Sequence, residues 1–142
     1  MTAGSVLGWR ASPLTRDLRA LTVPLATKRI YDPATDDEGQ RILVMRLWPR
    51  GIKKARVDAW YRDLAPELSL MRGFRAGEIP WEEYRERYRA GLGRPEAQTQ
   101  LAQLRAAMAE RQVTLFCGCE NPQRCHRELL RTYAEGKPAA RP

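Results

Sequence analysis

"QVTLFCGCENPQRCHRELL" (residues 112–130) is the stretch on which the fold of this chain turns. Its first part, "QVTLFCG", is apolar on both alternating faces, the pattern of a strand buried in the middle of a sheet. Helix-start signals follow after only Cys119, Glu120 and Asn121, with Asn121 placed as N-cap and Pro122 at the first helical position. The inward stripe of that helix is His126, Leu129, Leu130 and Tyr133, and Gly136 and Pro138 close it. A buried strand that runs through a short turn into an amphipathic helix is the building unit of an α/β domain.

The upstream sequence extends this pattern. "KRIYD" (28–32) reads as a short strand, and "RILVMRLW" (41–48) as a strand buried on both faces and stopped by Pro49 and Gly51. "VDAWYRDLAP" (57–66) suggests a short helix with Asp58 as N-cap, Trp60 and Leu64 on one face and Pro66 at its end. In "PWEEYRERYRAGL" (80–92) Trp81, Tyr84, Tyr88 and Leu92 fall on one helical stripe, best read as core, while Glu83 and Arg87 pair on the wet side. Residues 95–111 form a further helix with Leu101, Leu104 and Met108 inward. The expected architecture is a single α/β domain over residues 27–136, with a small, mostly parallel sheet flanked by helices. A loose arm (1–26) precedes it and a short tail (137–142) follows.

With 142 residues, 43% of them hydrophobic, the chain has the size and composition of one globular domain that needs no metal or disulfide staple. No apolar run approaches the ~20 residues of a bilayer span, and no secretory pattern opens the chain. An odd number of cysteines, 3, points to free thiols in a reducing, cytoplasmic setting. The net charge of +8 attracts anions in general: phosphates, nucleotides, nucleic acid.

Ligands of open α/β sheets sit outside the carboxyl ends of the strands. Two loops are expected there. One is "RLWPRGIKKAR" (46–56), in which Arg46, Arg50, Lys53, Lys54 and Arg56 surround Trp48; the other is "CGCENPQRCH" (117–126), at a helix N-terminus that favours anions. Arg46 or Arg50 is therefore expected in one pocket with His126 and Cys125. Cys117 is read as a buried core residue. Cys119 and Cys125 stay open between packing and reactivity, with Cys125 or Cys119 expected to be alkylated before Cys117. His126 is either a satisfied core histidine or the acid/base of a site with Glu120. A metal is not expected: C-x-C is not the usual knuckle spacing, and two ligands adjacent in sequence do not easily point inward together.

The blocks "KRIYD", "VMRLWPRGIKK", "LAPEL", "WEEYRERYRAGL" and "CGCENPQRCHRELL" resemble the DUF488 family, most closely its YeaO-like branch, from about Lys28 to Glu135. The resemblance implies an α/β fold found in cytoplasmic bacterial and archaeal proteins and carries no established reaction. Arg46, Pro49 and Arg50 match the family's arginine–proline loop, and Glu120, Cys125, His126 and Arg127 match its acidic residue and "CHR" helix start. The family usually has Asp before that first arginine; this chain has Met45, so a step that relied on that carboxylate is missing here. The pattern of the YeaO-like branch favours His126 with Arg46 and Arg50 over an obligatory Cys125 nucleophile.

The functional expectation is an anion-binding cleft, with an enzyme acting on a phosphorylated or nucleotide-like ligand as the leading reading. Arg46, Trp48, Arg50, Lys53, Lys54 and Arg127 would bind it, and His126, Glu120 and Cys125 would act on it without cofactor or metal. The alternative is a basic nucleic-acid-binding module. No membrane partner is expected.

Overall fold

A computed structural model of the chain describes residues 25–119 and 124–136. Residues 1–24 of the expected arm, Glu120, Asn121, Pro122 and the tail lie outside the described residues. Strands β1 (Ala26–Arg29), β2 (Gln40–Leu43), β3 (Ala59–Trp60) and β4 (Val113–Cys117) form one sheet in the order β1-β4-β2-β3, and every pairing is parallel. Helices α1 (Leu68–Arg75), α2 (Trp81–Gly91) and α3 (Pro95–Glu110) connect β3 to β4, and α4 (His126–Ala134) follows β4. The protein is an α/β domain. Leu25, 3% exposed, already belongs to its core, so the folded unit starts slightly before the expected boundary.

Two cores back the sheet. Ile42, Val44, Val113, Leu115 and Cys117 face the helices, meeting Tyr84, Tyr88, Leu92, Leu101, Leu104 and Leu130. Ile30, Leu43 and Phe116 face the other way and are covered by the loop of residues 44–58, through Trp48, Ile52 and Val57, together with Trp60. Trp48 and Trp60 meet edge to face at 5.3 Å, and their indole N–H groups donate to Ile52 O and Met45 O, both at 2.7 Å. This tie lets an irregular loop replace a helix layer without stranding indole donors in the core.

Helices α2 and α3 lie where the apolar stripes place them. Three other expectations need correcting. The β2 ladder ends at Leu43, with one further bond from Val44 N to Phe116 O (2.9 Å), because Trp48 must turn back over the sheet. Residues 57–66 are not a helix. Ala59 and Trp60 pair with Ile42 and Leu43, a tight turn spans Arg62–Leu64, and Asp58 grips Arg41 N (2.8 Å) and its guanidinium (3.2 Å). The unfilled edge of β2 outweighs a weak local helix preference. Finally, the N-cap of α4 is Cys125, whose Sγ accepts from Arg127 N at 3.5 Å. Among the described residues no helix is long and apolar enough to cross a membrane.

A buried acid locks the loop-covered side. Glu38, 3% exposed, is held by Lys28 (2.5 Å), Arg56 (2.9 Å) and Thr35 N (3.2 Å), while its carbonyl accepts from Thr114 Oγ1 (2.7 Å). Next to it Gly39 sits at φ 66°, where a Cβ would meet Gln112 O at 2.2 Å, so only glycine lets the chain enter β2 against β4. Burial alone would raise the Glu38 pKa, but the hydrogen bonds from Arg56, Lys28 and Thr35 hold it at about 2, against an ordinary 4.5. A depressed carboxylate stabilises the fold above its unfolded pKa, and that stability drains away as pH falls from 4.5 toward 2. Glu38→Gln should therefore lower stability at pH 7 by up to about 3 kcal/mol and flatten the acid limb of the stability–pH curve, as read from urea midpoints across pH. An unchanged acid limb would show that this cluster does not govern acid unfolding.

Candidate functional site

Parallel pairing sends the carboxyl ends of β1, β2 and β4 to one edge, so the loops after Leu43 and Cys117 leave the sheet together. The first loop then divides. Arg46 turns toward the helices, where its guanidinium meets Asp63 (3.2 Å), Ala65 O (2.7 Å) and Pro66 O (3.4 Å). Trp48 goes to the opposite face and, with Lys54, Val57, Asp58, Ala59 and Trp60, lines a pocket of about 440 Å³. Arg50, Lys53 and Lys54 are exposed and have no ion-pair partner among the described residues. Tyr31, just past β1 and 46% exposed, donates its hydroxyl to Arg50 O at 3.3 Å. Arg124, also exposed, stands just before α4.

The second loop delivers a thiol–imidazole cluster. Cys117 is the last residue of β4 and Cys119 lies on the same face, both against the helix-side core. Cys125 and His126 open α4. The four ligand atoms of Cys117, Cys119, Cys125 and His126 all lie within 4.8 Å of one another. Cys117 Sγ and Cys125 Sγ are 2.9 Å apart, and Cys125 Sγ is 3.9 Å from His126 Nδ1. His126 Nε2 lies 2.5 Å from Val44 O, and since a carbonyl only accepts, the ring proton is on Nε2. The Nδ1 lone pair is thereby aimed at the sulfurs. Tyr88 packs edge-on against the His126 ring at 5.7 Å and stays protonated, its hydroxyl donating to Leu64 O at 2.6 Å.

The surroundings of the cluster favour negative charge at Cys117. Hydrogen bonds from the Cys119 and Cys125 thiols, with Arg127 close by, hold the Cys117 thiol far below the usual range despite its burial. Bonding to Cys117 pushes Cys119 up to about 11 and Cys125 higher still. Arg127, 4% exposed, donates through Nη1 to Cys117 Sγ (3.2 Å) and Cys119 O (3.3 Å). The buried Arg127 guanidinium therefore faces the Cys117 sulfur, where it favours negative charge.

Residues 25–136 match the family model DUF488-N3a, described as the active DUF488-N3 subclade. The chain belongs to the DUF488 family. Its relatives within DUF488 include the uncharacterized protein YeaO of Escherichia coli (strain K12), 38% identical over 106 residues that cover 72% of this chain and 90% of that protein. The uncharacterized proteins Rv3073c of Mycobacterium tuberculosis (strain ATCC 25618 / H37Rv) and Mb3100c of Mycobacterium bovis (strain ATCC BAA-935 / AF2122/97) are each 32% identical over 111 residues, covering 77% of this chain and 92% of each relative. No solved structure matches the chain.

In this DUF488 protein the expected site residues fall into separate groups. Cys125, His126 and Arg127 come together with Cys117 and Cys119; Trp48 and Lys54 come together in the 440 Å³ pocket; Arg50 stands at the strand edge. Arg46 shares its edge with His126 through the Val44 backbone, but its guanidinium is spent on Asp63 and two carbonyls. Arg127 faces sulfur, not solvent. Met45 packs with both cores and reaches Gly118, where a Cβ would meet its Cε at 3.4 Å, so this position is apolar filling. Tyr31 escaped the sequence reading, although its place just after the first strand of a parallel sheet was the available signal.

Cys125 is fully buried and Cys119 half-buried, which reorders the expected thiol reactivity. Iodoacetamide at neutral pH should modify Cys119 of the reduced protein first, with Cys117 and Cys125 at least about tenfold slower until denaturant is added. Peptide mapping reads the order. Modification of Cys125 first would mean that the start of α4 is open to solvent.

Proposed function

We propose that this protein binds a small anionic ligand of the phosphorylated or nucleotide class at the carboxyl edge of its sheet and acts on it as an intracellular enzyme. The observation that supports this most is an exposed ring, Tyr31, bonded to the backbone of a loop arginine, Arg50, on that edge. Arg50 and Arg124 have no ion-pair partner among the described residues, and Tyr31 is 46% exposed beside Arg50. Arginine suits phosphate through its forked donors, and an exposed ring suits a base or sugar face. The subclade description "active" fits catalysis, and three free thiols fit a reducing, cytoplasmic setting.

The buried His126 and Cys125 would then act from beneath the ligand, by fixing the loop backbone, more than by touching it. Glu120, expected in the turn between β4 and α4, remains the proposed proton-transfer group. Nucleic acid is the second reading. It is favoured by one observation: the loop that carries Arg50 also carries Lys53, Lys54 and the pocket walled by Trp48 and Trp60, a cationic track with aromatic rings.

Calorimetry with inorganic phosphate, AMP and a single-stranded oligonucleotide over a salt series separates the readings. AMP should bind with a shallow salt slope, and Arg50→Ala and Arg124→Ala should each weaken it about tenfold with little change in melting temperature. A steep slope seen only with the oligonucleotide would favour the nucleic-acid module. No binding of any of the three would overturn both.

A further inference from the structure

We propose that Cys117, Cys119, Cys125 and His126 form a tetrahedral site for one borderline-soft divalent ion of the zinc class, which pins the end of β4 to the start of α4. Spacing in the sequence argued against a metal, and the fold removes that objection. Cys125 is in extended conformation (φ −134°, ψ 143°) while His126 begins the helix, so the backbone changes direction between them and both side chains face the same point. Cys117 and Cys119 approach that point from one face of the strand end.

Three features point to a cation there. First, in a tetrahedral zinc site with Zn–S bonds of about 2.3 Å, neighbouring ligand atoms are about 3.8 Å apart. The Cys125–His126 separation of 3.9 Å is near that value, and the Cys117–Cys125 pair, at 2.9 Å, has to open by about 0.9 Å to admit an ion. Second, the Val44 carbonyl keeps the proton on Nε2 and leaves Nδ1 as the free donor, the arrangement by which a second shell orients a metal-binding histidine. Third, a divalent ion with three thiolates and a neutral imidazole carries one net negative charge, which the buried Arg127 guanidinium cancels. A Cys117–Cys125 disulfide is the competing use of this proximity, but it would leave Cys119 and the Nδ1 lone pair converging on nothing.

Four protein donors and near-complete burial describe a closed, structural site. Binding displaces the protons that the thiols carry, while the hydrogen on His126 Nε2 keeps its bond to Val44 O. The anion edge at Arg50 and Arg124 gives no ligand to this site, and Cys125 and His126 serve that edge only by fixing the loop backbone, so metal binding and anion binding are read separately.

The test uses the full chain, reduced, stripped with chelator and desalted, then titrated with Zn²⁺ and Co²⁺. The expected result is one equivalent of either ion, a rise in melting temperature with Zn²⁺, and tetrahedral Co²⁺ bands with thiolate-to-cobalt charge transfer. Cys119→Ser, at the half-buried ligand, should keep the apo melting temperature and lose at least tenfold in Zn²⁺ affinity, with a weaker charge-transfer band. Absence of stoichiometric binding by the wild-type protein would overturn the proposal whatever the variants do. So would an octahedral Co²⁺ spectrum, equal affinity in wild type and Cys119→Ser, or a Cys117–Cys125 disulfide that forms in air as readily with Zn²⁺ as without it.

Discussion

The hydrogen bond from His126 Nε2 to Val44 O is the joint on which the functional end of the molecule depends. Val44, just past β2, makes the last bond to β4, and His126 is the first residue of α4, so this one contact ties the two loop departures to each other. It lies 3% exposed, where an unmet donor or acceptor would cost on the order of 1–3 kcal/mol. It also chooses the imidazole tautomer. Holding the start of α4 here brings Cys125 against Cys117 and carries Arg127 with it.

Beneath that joint, the sheet is stabilised differently on its two faces. The helix face follows the usual logic of apolar stripes meeting a flat apolar surface. The loop face has too little apolar chain for a helix layer and relies on Trp48, Trp60 and the paired Glu38. Burying Glu38 without Lys28 and Arg56 would be ruinous; with them it latches the entry to β2 against the cover loop. Arg56 also stands over the Phe116 ring at 4.7 Å, so its stem and charge both serve the packing.

The cationic side chains divide accordingly. Lys28, Arg41, Arg46 and Arg56 are committed to carboxylates and hold loops in place, and Arg127 is committed to sulfur. Among the described residues Arg50, Lys53, Lys54 and Arg124 have no ion-pair partner; Arg50 lies on the loop that leaves the carboxyl end of β2, and Arg124 just before α4. A net charge of +8 says nothing of this division. What distinguishes a binding cation from a structural one is whether an acid or carbonyl far away in the sequence folds against it.

Sequence by itself determined the α/β class, the helices at 80–92 and 95–111, and the central strand at 112–118, because apolar periodicity and caps are local properties. It also determined that the two loops share an edge, since parallel strands leave no other choice. Only the tertiary structure decided that residues 59–60 extend the sheet, because the free edge of β2 lies far along the chain. Likewise, only folding showed that Arg46 is neutralised by Asp63 and that His126 is buried on Val44. Spacing along the chain could not show the convergence of Cys117, Cys119, Cys125 and His126 for the same reason: it depends on where a strand end meets a helix start, a distance in space that the count of intervening residues does not record.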